Sequence, residues 1–135
     1  MIGLVICTHS NLAEALLASA EMIVGPIEQS QAVGVHAGDS PEEIHTRLEA
    51  ALEQVDQGDG AIVLCDMFGG TPSNISLTFL SERVDVVTGV NLPMLLKFFT
   101  TRQGPVAEVS RAIQVHARDN ILAAGVLMGG STEAN

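Results

Sequence analysis

At 135 residues, 47% hydrophobic but only 3% aromatic, with no Trp and no Tyr, the chain is sized for one domain around an aliphatic core. Six basic against sixteen acidic residues give a formal net charge of −10, which repels phosphate backbones and anionic membranes. With base-stacking aromatics also scarce, nucleic acid is excluded as a partner, and proteins with a basic contact face are favoured. The N-terminus lacks the basic region of a signal peptide, and the longest weakly polar stretch, Ile121 to Gly130, falls short of the ~20 residues of a membrane helix. Cys7 and Cys65 end apolar runs and read as buried thiols rather than a secreted disulfide framework. The expectation is a cytoplasmic protein with no direct membrane insertion.

In chain order, the apolar run Ile2–Cys7 predicts a first buried strand, followed by a helix with Leu12, Leu16, Ala20 and Ile23 on its apolar side, stopping at Gly25-Pro26. A weaker strand falls around Ala32–Val35. Ser40-Pro41-Glu42-Glu43 then supplies an N-cap, a proline at the first helical position and a capping box. Ile44, Leu48, Leu52 and Val55 continue that helix at helical spacing, and Gly58 closes it. Ala61–Cys65 is the second strongly buried strand; Pro72 opens a short helix to about Leu80, and Val84–Thr88 makes the fourth strand. Pro93 opens a helix with Leu95, Leu96, Phe98 and Phe99, and Pro105 starts the last, with Val109, Ile113 and Ala117 inward. The apolar segment Ile121–Leu127 reads as helix end or strand. Strand and helix in alternation predict a single doubly wound α/β domain, a four-stranded parallel sheet with helices on both faces. The domain is expected over residues 1–130, with 131–135 as a disordered tail.

Three loops leave the carboxyl ends of strands, where open α/β sheets bind ligands. They are Thr8-His9-Ser10-Asn11, Asp66 to Asn74, and Gly89-Val90-Asn91-Leu92-Pro93-Met94. His9 is the candidate nucleophile. A carboxylate beside an imidazole fixes its tautomer and frees the other ring nitrogen to attack, and Asp66 is placed to do this. The helix start near His9 disfavours an imidazolium there and favours a phosphoryl group once it is attached. In Gly69-Gly70-Thr71 the glycines let backbone N–H groups turn toward an anion, and the threonine adds a hydroxyl. Ser10, Gly69, Gly70 and Thr71 are therefore the candidate phosphoryl-binding residues. Phe68, Asn91 and Met94, on the same rim, are candidate partner contacts. No Walker lysine and no G-x-G-x-x-G motif is present, which argues against a nucleotide site. A zinc site from His9, His36 and Asp66 has no ligand spacing behind it. The reading calls for no cofactor and no metal, and His36, His45 and His116 read as structural or solvated.

Taken together, Val5-Ile6-Cys7-Thr8-His9, Asp66-x-x-Gly69-Gly70-Thr71-Pro72-x-Asn74 and Gly89-Val90-Asn91-Leu92-Pro93-Met94 resemble the enzyme IIA domain of mannose-family sugar phosphotransferase systems. The likeness extends from the first strand through the Pro93 helix, and more loosely to about residue 127. It implies a phosphotransferase that accepts a phosphoryl group from HPr on Nε2 of His9 and passes it to a IIB protein. The acceptor in turn phosphorylates sugar entering through membrane IIC and IID subunits. By the same likeness, Asp66 stands beside the ring and Thr71 near the phosphoryl oxygens. It further implies a homodimer in which a fifth, antiparallel C-terminal strand is exchanged, with Ile121–Leu127 as the segment to supply it. Phe68 stands where members of the family carry Trp. With 135 residues and no IIB sequence in them, the expected IIB partner is a separate chain.

Three other readings compete. A regulatory phosphocarrier would report phosphotransferase-system state without sugar transport. The related dihydroxyacetone-kinase phosphotransferase subunit also uses an N-terminal histidine, but the Gly-Gly-Thr-Pro-x-Asn loop favours the mannose type. A receiver domain phosphorylated on Asp66 would need an acidic cluster after the first strand, where this chain has Thr8-His9.

Overall fold

Two apolar runs with no polar interruption, Leu4–Cys7 and Ala61–Cys65, need cover on both faces and a strand on both edges, and they take the two central places in the sheet. The computed structural model describes residues 1–129, so the expected tail over 131–135 lies outside the described residues. The elements are β1 (Gly3–His9), α1 (Leu12–Val24), β2 (Ser30–Val35), α2 (Pro41–Val55), β3 (Ala61–Cys65), α3 (Thr71–Ser76), β4 (Val84–Thr88), α4 (Leu92–Thr101), α5 (Val106–Asp119) and α6 (Ala124–Gly129). A single 3₁₀ turn, Leu77–Phe79, follows α3. All strand pairs are parallel and the order is β2-β1-β3-β4. The chain thus winds outward from β1 to β2 and then from β3 to β4 in the opposite direction. The crevice between the carboxyl ends of β1 and β3 is the switch point of the sheet.

Side chains alternate across the strands and divide the core in two. Leu4, Ile6, Ile62 and Leu64 face α1, α4 and α5, where Ala20, Leu95, Phe98 and Ile113 pack against them. Val5, Cys7, Val63 and Cys65 face α2, meeting Leu48, Leu52 and Val55, with Ile75 and Phe79 at the margin. On α2 the capping box forms as the sequence predicts: Ser40 Oγ accepts from Glu43 N–H at 3.1 Å, and Glu43 Oε1 accepts from Ser40 N–H at 2.9 Å. On α5 the buried side is Val109, Ile113 and Ala117, again as read.

α1 turns its expected face inward at Leu16 and Ala20 but not at its two ends. Ala13 and Ala20 are buried and Leu16, Leu17 and Val24 pack at the edge of the core, whereas Leu12 and Ile23 are exposed. The cause is a hydrogen bond that periodicity does not reveal. The buried Thr8 Oγ1 accepts from Ala13 N–H at 2.7 Å, which draws the first turn inward at Ala13 and lets a small residue face the sheet. The segment after α5, expected as helix end or strand, takes the helical alternative. Ala124–Gly129 is a short helix in this single chain, and Ile121, Leu122, Val126, Leu127 and Met128 are all exposed.

Candidate active site

β1 ends at His9 and β3 ends one residue before Asp66. Because the two strands are in register at Cys7 and Cys65, the two loops leave the sheet side by side. Asp66 Oδ2 accepts from the ring Nδ1 of His9 at 2.8 Å and from the His9 main-chain N–H at 3.1 Å, while Oδ1 accepts from Met67 N–H at 3.1 Å. Partial burial opposes a charge on Asp66, but the His9 ring and main-chain hydrogen bonds outweigh it and hold the carboxyl below the usual carboxylate range. An ionised carboxylate only accepts, so the proton sits on Nδ1 and the lone pair on Nε2. The His9 side chain is 48% exposed and that of Asp66 16%, so the ring is open to a partner while its orienting group is sheltered.

The glycine loop closes over the other edge of the ring. Gly69 and Gly70 adopt φ of +95° and +86°, the left-handed region that suits glycine. A Cβ at Gly70 would stand 3.2 Å from His9 Cε1 and 3.3 Å from Nε2, so a side chain here would press on the reactive edge of the ring. Thr71 follows as the exposed first residue of α3. Ser10 is exposed at φ +54°, an uncommon setting for a residue with a side chain. Its N–H donates to Val35 O at 2.8 Å, and its carbonyl oxygen lies where Gly34 would carry a Cβ, 2.4 Å from that position. Below the site, Cys7 and Cys65 are buried. Burial pushes the Cys7 thiol up to about 12, with Cys65 beside it adding to the shift, and pushes Cys65 up to about 11. Neither thiol serves as a nucleophile near neutral pH.

The structure brings His9, Asp66, Gly70 and the flanking Ser10, Gly69 and Thr71 to one rim. Phe68 (74% exposed) and Met67 (53%) stand on the same loop as an apolar projection. The third loop is different. Met94 is 2% exposed and packed in the core, and this corrects its reading as a partner contact. Both polar atoms of the Asn91 side chain are engaged internally: Oδ1 accepts from Met94 N–H at 2.9 Å, capping α4, and Nδ2 donates to Ala117 O at 3.1 Å. Pro93 at the first turn forces a capped helix start, and the cap needs Asn91. None of the other histidines hydrogen-bonds this pair: His36 is exposed beside Gly34, next to Ser10 at the edge of the rim, His45 stacks on Phe79 at 4.5 Å, and the His116 carbonyl accepts from Asn120 Nδ2. Two residues missed as site components are Thr8 and Ser73, both fully buried hydroxyls. Thr8 holds the turn after His9 and Ser73 holds the glycine loop, with Gly69 N–H donating to Ser73 Oγ at 2.8 Å. A hydroxyl residue a few positions from a helix start was their only sequence signal.

Fold and pair together define a class: a parallel α/β domain with a carboxylate-oriented histidine at the switch point of its sheet. A family model described as "PTS system fructose IIA component" matches residues 3–115. The "PTS system fructose-specific EIIA component" of Bacillus subtilis is 33% identical over 105 residues, 76% of this chain and 72% of that protein. The "PTS system mannose-specific EIIAB component" of Escherichia coli is 34% identical over 103 residues, 75% of this chain but only 32% of that longer protein. Among solved structures, the mannose/sorbose-specific IIA subunit of Enterococcus faecalis superposes with a TM-score of 0.82 at 27% identity, over 90% of this chain and 93% of that one. The chain belongs to the mannose-family IIA components of the phosphotransferase system. IIA components of this family are phosphotransferases that carry a phosphoryl group on a histidine. Among the described residues, no helix is long and apolar enough to cross a membrane.

Proposed function

We propose that His9 is the phosphorylated residue, loaded by phospho-HPr and discharged to a IIB protein during sugar uptake, in the cytoplasm. The observation that carries this reading is the 2.8 Å hydrogen bond from His9 Nδ1 to Asp66, which leaves the Nε2 lone pair on an exposed ring. The lone pair attacks phosphorus, forming a new N–P bond as the P–N bond of the donor phosphohistidine breaks and its imidazole leaves with the electron pair. The His9 ring then carries positive charge, and the Asp66 carboxylate on Nδ1–H offsets it. In discharge a nucleophile of the IIB protein attacks phosphorus, the His9 N–P bond breaks and the ring leaves with the electron pair, so Asp66 serves both directions.

A phosphoryl group in transit spreads its charge over peripheral oxygens, so positioned donors supply much of the stabilisation. Gly70 and Thr71 N–H, the Thr71 hydroxyl and Ser10 are the donors assigned to the phosphoryl oxygens in this proposal, and the start of α1 follows Ser10 in the chain. Phe68, with Met67 beside it, forms the apolar contact for both partners. Asn91 and Met94 are set aside from docking because their side chains are committed to the fold.

The test is incubation with phosphoenolpyruvate, enzyme I and HPr, followed by assay for acid-labile phosphate. The wild-type protein is expected to take up phosphate, and His9→Ala is expected to take up none while keeping its circular dichroism spectrum. Single replacement of His36, His45 or His116 should leave uptake intact. Wild-type incorporation in His9→Ala would overturn the assignment.

A further inference from the structure

We propose that Ser73 is a positioning residue for phosphoryl transfer: its buried hydroxyl fixes the height of the Gly69–Gly70 loop above the Nε2 edge of His9. Its role in transfer rests on His9 as the carrier.

Ser73 is the third residue of α3 and is fully buried. In a capping box the third helical side chain reaches back to the N–H of the N-cap residue. Here the N-cap is Gly70, which has no side chain to cap with, and Ser73 reaches one residue further. Its Oγ accepts from Gly69 N–H at 2.8 Å and stands 3.5 Å from Gly70 O. Asn74 N–H donates to the same Gly70 carbonyl at 3.0 Å. Both peptides of the loop are therefore tied to α3 while their φ angles lie in the left-handed region, where a free glycine pair samples many conformations.

The clearance this tie sets is small. With the Cβ position of Gly70 only 3.2–3.3 Å from Cε1 and Nε2, a shift of the loop toward the ring closes the space a phosphoryl group needs. A shift away removes the backbone N–H groups that would face its oxygens. Displacements near 1 Å in such constellations cost on the order of 10²-fold in rate. The tie also assigns the donors: Gly69 N–H is consumed by Ser73, so Gly70 and Thr71 N–H are left to turn toward the phosphoryl group. Ser76 gives the internal control. It is equally buried on the same helix, but its hydroxyl donates to Pro72 O at 2.6 Å and accepts from the Cys65 thiol, away from the loop.

The experiment compares wild type, Ser73→Ala and Ser76→Ala in the HPr-dependent assay, with chemical denaturation and NMR of the His9 ring run on each. Wild-type phosphate on His9 establishes the carrier first; its absence would sink the functional reading and leave the loop geometry to be judged by the ring signals alone. The expected result is that Ser73→Ala stays folded, accepts phosphate about tenfold more slowly, loses its phosphohistidine faster and shows displaced His9 Cε1–H resonances. Ser76→Ala should lose comparable stability yet transfer at the wild-type rate. Equal slowing of the two variants, or a Ser73→Ala protein with unchanged rate and ring signals, overturns the proposal. Should Ser73→Ala fail to fold, amide NMR of the wild-type protein decides. Phosphorylation should move the Gly70 and Thr71 amides and leave the Gly69 amide slow to exchange, and a Gly69 amide that moves most refutes the tie.

Discussion

Both oxygens of Asp66 are occupied within the site, and the His9 ring supplies the strongest of the contacts that keep its carboxyl ionised. Asp66→Asn preserves size but lets the amide present either end to Nδ1, so tautomer control and charge compensation both weaken. Phosphoryl acceptance is expected to slow without vanishing. Thr71→Ala, which removes a donor rather than the orienting group, is expected to cost ~10²-fold in rate. Stopped-flow or quench kinetics with phospho-HPr check both, and wild-type rates in the two variants would reduce the loop to a turn. The carboxylate has a signature in stability as well. Its pKa is lower in the folded protein than the ordinary value of about 3.9. The unfolded chain therefore takes up its proton first, and the stabilisation is fully present above pH ~4 and lost as pH falls through the lower folded value. The stability gap between wild type and Asp66→Asn should shrink as pH falls below about 4. A gap independent of pH in denaturant titrations would contradict the assignment.

At the scale of elements, the sequence was most readable where one physical signal acted alone. Buried strands at Ile2–Cys7 and Ala61–Cys65 follow from apolar runs with no alternative, and the α2 start follows from Ser40, Pro41 and Glu43. His9 and Asp66 are legible as a pair because His9 ends β1 and Asp66 directly follows β3, and the strand order then sets them side by side. On α1 the expected face holds at Leu16 and Ala20 and fails at its ends, where Leu12 and Ala13 compete for the inward place. The decision lies with Thr8, whose hydroxyl bond to Ala13 N–H spans the turn. Met94 was misread because its loop neighbours sit on the rim while its own side chain is turned into the core by the α4 cap. Thr8→Val keeps the shape and deletes the acceptor, leaving Ala13 N–H buried without a partner. The expected loss is about 1–2 kcal/mol, measurable as a lower urea midpoint at unchanged slope. An unchanged midpoint would show that the α1 start is held by packing alone.

Across the whole molecule, two surfaces are left incomplete by a single chain. Among the described residues no strand lies beyond β4 at the outer edge of the sheet, and a groove of about 330 Å³ runs along it between β4 and α5. Ser110 lines that groove, and its Oγ is buried without a hydrogen-bond partner among the described residues. Past α5, Ile121, Leu122, Val126, Leu127 and Met128 are 61–83% exposed. An open parallel edge invites pairing, and the exposed apolar segment that follows α5, the helix packed along β4, is of a composition to cover one. We therefore propose a homodimer in which each copy lays residues 121–128 along the β4 edge of the other, trading the short α6 helix for an antiparallel strand. Asn120, whose N–H closes the last turn of α5, marks where the segment parts from the domain. A protein truncated after Asn120 keeps every core residue, so it should fold with little change in spectrum and sediment as a monomer. Full-length protein should sediment as a dimer at micromolar concentration, and the amides of β4 should exchange more slowly in it than in the truncated form. A full-length monomer, or a truncated protein that remains dimeric, would rule out this assembly.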